Sequence, residues 1–99
     1  MTDVADWLEA HTRDAPPLLR RRVLEHAAPG TAGDVPGRLA EAAVRALTAV
    51  ERHAGDRSAA LDLLAADALV TLALLAQAEL APAGLLGFAR RTLHDATAA

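Results

Sequence analysis

The feature that most constrains the fold is one long apolar run, LDLLAADALVTLALLAQAELA, from Leu61 to Ala81. A bilayer span needs about 20 predominantly apolar residues, so this run is long enough to cross a membrane. It also carries Asp62, Asp67 and Glu79, and an aspartate near mid-membrane costs roughly 2.5–3.5 kcal/mol. No basic cluster flanks the run closely. We therefore expect a helix covered by protein and no membrane span.

Two sides of this helix are apolar. One broad face carries Leu61, Leu64, Leu69, Leu72 and Leu75, and a nearly opposite face carries Leu63, Val70 and Leu74. A helix that is apolar on two sides must be covered on both of them. Either it runs through the centre of the fold, or one face meets a second copy of the chain. We expect a homodimer, with Leu63, Val70 and Leu74 as the interface candidates.

The rest of the composition predicts an all-α protein. The 99 residues include 26 alanines and 17 leucines but no isoleucine or tyrosine. Alanine and leucine are strong helix formers, whereas strands favour branched and aromatic residues. A chain of this length suits one domain with a modest core. We expect residues 1–99 to form a compact bundle of four to five helices, in which a long apolar helix over about 57–80 is central.

Prolines, glycines and capping residues predict where the helices begin and end. A short first helix follows Thr2 or Asp3 and ends before Pro16, and a second runs from about Pro17 to Ala27. Further helices are expected over about 35–53, 57–80 and 82–96. The stretch APGTAGDVPG holds three glycines and two prolines. We therefore expect a mobile loop over about 28–36.

The acid in the middle of the apolar run, Asp67, lies between the two leucine faces and one turn from Thr71. A carboxylate buried without a partner is strongly unfavourable. In the second helix, Arg20 falls on the inner face, whereas Arg21 and Arg22 point outward. We therefore predict an Arg20–Asp67 ion pair within or beside the core. Such a pair would fix the helix register; a ligand-binding or catalytic role is the alternative.

The four histidines, His11, His26, His53 and His94, each lie near the end of a predicted helix. A protonated ring there offsets the negative end of the helix dipole, and its N–H can bond a free carbonyl. A metal site that uses His11, His53 and a carboxylate is an alternative. No histidine has the paired spacing on one helix, such as H-x-x-x-H, that marks such sites. We therefore expect neither a metal nor a cofactor.

Composition also disfavours several classes of function. The chain has no cysteine, which excludes disulfides, thiolate catalysis and cysteine-ligated zinc. Its net charge of −3 argues against nucleic acid as a partner. The opening MTDVADWLEAH lacks the basic and apolar regions of a secretory signal, so we expect a cytoplasmic protein. No hydrolase triad is supported, because the single serine, Ser58, begins a helix. We expect no enzyme activity.

These features predict a non-enzymatic interaction or scaffold module that forms a homodimer through an apolar helical face. Another protein is a possible partner for the same kind of surface. The alternative is a helical bundle that binds a small molecule or lipid in an apolar pocket between helices. Leucines would then line the pocket, and Asp67, Arg20 and His11 would be its few polar groups. Thr71 and His53 complete the set of polar candidates.

Overall fold

The computed structural model describes residues 3–98, which form five α-helices and one 3-10 turn. In chain order these are α1 (Val4–His11), α2 (Pro17–Ala27), α3 (Val35–Arg52), α4 (Arg57–Leu80), the 3-10 turn (Pro82–Gly84) and α5 (Leu85–Ala98). No strand occurs in this part of the chain. The prediction of an all-α bundle with four to five helices is confirmed.

Capping residues set the helix ends much as predicted. The side chain of Asp34 accepts a hydrogen bond from the backbone N–H of Gly37 at the start of α3, at 2.7 Å. The side chain of Asp56 does the same for Ser58 at the start of α4, at 3.1 Å. Between these helices Gly55 has a φ of +85°, a conformation that favours glycine. The reversal from α3 to α4 therefore needs only four residues.

The last helix begins later than predicted. Pro82 opens a 3-10 turn, and the backbone N–H of Gly84 donates to the carbonyl of Ala81. Such a turn is tighter than an α-helix. It lets the chain leave the end of α4 and start again at Leu85, so the predicted single helix from Pro82 is wrong at its first turn.

The core is built on the contact between α3 and α4, and most of its buried side chains are alanines. The buried apolar residues on these two helices include Leu39, Ala42, Ala43, Ala46 and Ala49 of α3, and Ala65, Ala66, Leu69, Ala73 and Ala76 of α4. Trp7 and Leu8 of α1, Val23 and Ala27 of α2, and Phe88 of α5 complete the cluster. Because alanine ends at Cβ, two alanine faces allow the backbones to approach closely.

One side of α4 is left open. Leu63, Leu64 and Leu75 are exposed to 55%, 56% and 40%. α4 is the one helix of residues 3–98 that is long and apolar enough to cross a membrane, and only 33% of its most apolar 18-residue window is buried. The single chain therefore leaves one flank of α4 uncovered, and coverage of that flank by a second copy stays a prediction. The flank is open because mainly alanines, together with Leu69, form the inner face of α4.

The loop between α2 and α3 is tied to α3 by two side chains. The Glu41 carboxylate accepts hydrogen bonds from the backbone N–H groups of Thr31 and Ala32, at 2.8 and 2.7 Å. Arg38 Nη2 donates to the carbonyls of Ala27 and Ala28, at 3.3 and 3.4 Å. These bonds restrain the first half of the segment, up to Ala32. Mobility over residues 28–36 stays a prediction.

We predict that a larger side chain inside the alanine interface destabilises the fold. Ala73 is fully buried, so Ala73→Leu must push α3 and α4 apart at a cost of about 1–3 kcal/mol. Ala10, which is exposed on α1, offers a matched control, because Ala10→Leu changes stability by no more than about 0.5 kcal/mol. Urea unfolding followed by circular dichroism measures both. If Ala73→Leu were as stable as wild type, the close alanine packing would be disproved.

Candidate functional site

The most elaborate polar cluster surrounds Asp62, a fully buried residue near the start of α4. Its Oδ1 accepts hydrogen bonds from Arg22 Nη1 at 2.6 Å and from His26 Nε2 at 2.9 Å. Its Oδ2 accepts one from His53 Nδ1 at 3.0 Å. Arg22 and His26 belong to α2, and His53 caps the C-terminal end of α3. One carboxylate therefore joins three helices, and we call these four residues the Asp62 network.

The sequence brings these side chains together through simple spacing. Arg22 and His26 are four residues apart, so they lie on the same face of α2. His53 precedes the turn at Gly55, which returns the chain into α4. Asp62 precedes Ala66 by four residues and thus occupies the buried alanine face of α4. The site forms where the C-terminal ends of α2 and α3 meet the N-terminal end of α4.

The protonation of the network follows from its geometry. A carboxylate only accepts hydrogen bonds, so His26 carries a hydrogen on Nε2 and His53 carries one on Nδ1. Burial raises the pKa of Asp62, but the hydrogen bonds from His26, His53 and Arg22 and the positive charge of Arg22 outweigh it. The pKa of Asp62 consequently falls from 3.8 to about 2. Asp62 is ionised at neutral pH.

The chemical capacity of this network centres on His53. Its side chain is 41% exposed, whereas that of His26 is nearly buried. The Asp62 carboxylate orients the ring through Nδ1, an arrangement that can prepare the other ring nitrogen to exchange a proton. Among residues 3–98 no group of three or more histidine, aspartate and glutamate side chains is arranged to hold a metal ion. The network is suited above all to joining the three helices.

The predicted Arg20–Asp67 pair is not formed. Asp67 is exposed, because it points away from the buried side of α4 that Leu69 marks. Arg20 Nε instead donates to Thr12 Oγ1 at 3.3 Å, and the described residues contain no ion pair between Arg20 and Asp67. The expected architecture, a core carboxylate neutralised by an α2 arginine, exists with different residues. Asp62 and Arg22 take these roles, so the prediction that Arg22 points outward is also wrong.

The histidine at the end of α1 lies within hydrogen-bond distance of a helix carbonyl, as the sequence predicts for that position. His11 Nδ1 lies 2.8 Å from the carbonyl of Trp7, four residues earlier, and the two rings stack with centroids 3.8 Å apart. His11 Nε2 also lies 3.5 Å from a carboxylate oxygen of Glu79, near the end of α4. His53 contacts Asp62, at the opposite end of the same helix. Because 17 residues of helix separate the two contacts, about 25 Å, the alternative metal site with His11 and His53 is not assembled.

Four of the predicted polar residues nevertheless meet around one cleft. His11, Arg20, Asp67 and Thr71 line a cavity of about 320 Å³ between α2, α4 and the end of α1. Leu19, Val23 and Leu72 are among its apolar walls. We call this cavity the α2–α4 cleft. It has the composition predicted for a small-molecule pocket, although its volume is at the lower limit of such sites.

A second candidate surface is the open side of α4. We define the outer face of α4 as Ala60, Leu63, Leu64, Asp67, Thr71, Leu74, Leu75 and Ala78. Seven of these eight residues are exposed, and Leu74 is half-buried. Of the three predicted interface residues, only Leu63 is exposed, since Val70 and Leu74 pack partly against the core. The broad leucine face expected from the sequence is divided, because Leu69 is buried whereas Leu64 and Leu75 lie on the outer face.

Comparisons with known proteins found no matching family model, no matching curated protein and no matching solved structure. No relative therefore assigns a role to any residue of the Asp62 network, the α2–α4 cleft or the outer face of α4. Function has to be inferred from the contacts and surfaces of this chain.

We predict that Asp62→Asn destabilises the protein strongly. The amide keeps one acceptor oxygen and loses the charge, which leaves buried donors without an acceptor at a cost of about 2–4 kcal/mol. Asp67→Asn, the same change at an exposed position of α4, alters stability by no more than about 0.5 kcal/mol. Urea unfolding at neutral pH measures both variants. If Asp62→Asn were as stable as Asp67→Asn, the network would not hold the helices together.

The difference in unfolding free energy between wild type and Asp62→Asn should depend on pH, which provides a second test of the same prediction. The folded-state pKa of Asp62, about 2, lies below its ordinary value of 3.8. The ionised carboxylate therefore stabilises the fold above pH 4, by roughly 2 kcal/mol, and loses that contribution as the pH falls toward 2. The difference between wild type and Asp62→Asn should narrow over this range. A difference that does not change with pH would contradict a role for the charge.

Proposed function

We propose that this protein is a non-enzymatic interaction module that self-associates through the outer face of α4. The observation that carries the proposal is the exposure of Leu63, Leu64 and Leu75 on the most apolar helix of the chain. Single exposed leucines are ordinary on protein surfaces, but an apolar patch along one helix marks a binding surface. The partner that we favour is a second copy of the chain.

A protein partner suits this face better than a membrane does. Asp67 lies in the middle of the outer face, so inserting the face into hydrocarbon would bury its carboxylate at a cost of roughly 2.5–3.5 kcal/mol. A protein partner can supply a hydrogen-bond donor at that position. For the Asp62 network we infer a structural role, because its three hydrogen-bond donors all point to one buried carboxylate.

The association should be weak. Burying the remaining exposed part of a leucine contributes about 1 kcal/mol, and each chain offers three such side chains, so a dimer gains about 6 kcal/mol from its six leucines. After the entropic cost of association, this gain corresponds to a dissociation constant on the order of 0.1 mM or weaker. The equilibrium should therefore be visible at the concentrations that sedimentation and light scattering use.

We predict that wild type changes from a 10.3 kDa monomer to a dimer as its concentration rises, and that Leu64→Glu with Leu75→Glu keeps it monomeric. The matched control is Leu86→Glu with Leu93→Glu, which alters two leucines of α5 that are 66% and 56% exposed. Analytical ultracentrifugation measures all three proteins. A monomeric wild type at every concentration would overturn the proposal, as would disruption by the α5 pair alone. Flotation of monomeric wild type with lipid vesicles would identify a membrane as the occupant instead.

A second candidate function is the binding of a small apolar molecule in the α2–α4 cleft. It is favoured by the meeting of Arg20, Asp67 and Thr71 around apolar walls. We predict that the amphipathic anionic dye anilinonaphthalene sulfonate binds wild type, and that Leu19→Trp, which fills the cleft, abolishes the fluorescence gain. Loss of the gain in the Leu64→Glu, Leu75→Glu protein instead would place the dye on the outer face of α4 and count against the cleft.

A further inference from the structure

The outer face of α4 has the same pattern when it is read from either end. From its N-terminal end the residues are Ala60, Leu63, Leu64, Asp67, Thr71, Leu74, Leu75 and Ala78. The pattern is alanine, two leucines, two polar residues, two leucines and alanine, and its midpoint is Leu69 on the buried side. A twofold interface requires one patch to be complementary to itself. A face with this symmetry meets that requirement when the two helices run in opposite directions.

We infer that two copies of α4 pair antiparallel, about a twofold axis that passes beside the helix at the level of Leu69. This inference rests on the self-association proposed above and specifies its geometry. In this register the leucines at 63 and 64 of one copy lie against those at 74 and 75 of the other. Ala60 lies against Ala78 of the second copy, where the small side chains allow close approach. Each Asp67 lies beside Thr71 of the second copy.

The polar residues at the centre select the direction of pairing. A parallel twofold dimer would bring the two Asp67 carboxylates together, and like charges in a partly buried contact repel each other. The antiparallel register separates them along the helix by four residues, about 6 Å, and offers each a hydroxyl. In the single chain Thr71 Oγ1 donates to the backbone carbonyl of Asp67 at 3.1 Å. This hydroxyl can rotate to donate to the carboxylate of the second copy.

Disulfide trapping tests the register, because the chain has no cysteine of its own. Ala60→Cys and Ala78→Cys place single thiols at the two ends of the outer face, and both positions are exposed. The two proteins are oxidised separately and as an equal mixture, well above the dissociation constant. Thr48→Cys, an exposed position on α3, replaces either partner as the control for random collision.

We expect the mixture to form about tenfold more heterodisulfide than either homodisulfide, since the antiparallel register holds identical positions about 27 Å apart and a disulfide needs Cα atoms within about 7 Å. The Thr48→Cys mixtures should yield no comparable product. Homodisulfides from each protein alone, without the heterodisulfide, would overturn the antiparallel register. If the proteins sediment as dimers but form heterodisulfide no more readily than the Thr48→Cys mixtures do, the antiparallel register is also overturned. If the variants and wild type sediment as monomers, the proposed self-association itself fails.

Discussion

The packing of alanine against alanine between α3 and α4 is the constraint on which the rest of the structure depends. Because both inner faces are made mostly of alanines, with Leu39 and Leu69 as the buried leucines, the two backbones can lie close together, and there is little room for further leucines between them. The other leucines of α4 are therefore distributed around its flanks and outer side. The same choice of residues that closes the core leaves Leu63, Leu64 and Leu75 in contact with solvent. The fold and the exposed leucine surface thus have one physical cause.

A core of alanines buries little apolar area per residue, so the positions of the helices need additional constraints. The Asp62 network provides one at the end where α2, α3 and α4 meet. A buried ion pair often contributes little net stability, since desolvation offsets most of the attraction. Removing one member, however, leaves the others unsatisfied, and alternative helix registers are disfavoured for the same reason. At the opposite end of α4, His11 and Glu79 connect α1 to the bundle.

Local signals in the sequence were sufficient to predict the helices, but not to predict which side of α4 is buried. Pro17, Asp34 and Gly55 act through backbone geometry and capping, which do not depend on tertiary contacts. The choice of the inner face was wrong because we weighted leucine above alanine. The stripe formed by Ala66, Ala73 and Ala76 contains Asp62 and excludes Asp67, so helix-to-helix packing of small residues was the missing signal. With that stripe inward, Arg22 and His26 would have followed as the partners of the buried acid.

The central claim is that the outer face of α4 is open in the single chain and covered in the assembled protein. Relaxation of leucine methyl signals by a soluble, neutral gadolinium chelate tests it directly, when measured well below and well above the dissociation constant. We expect the methyl groups of Leu63, Leu64 and Leu75 to relax quickly in dilute protein and to become protected at high concentration. Those of Leu86 and Leu93 should stay accessible throughout. Fast relaxation of all five leucines at every concentration would contradict the account.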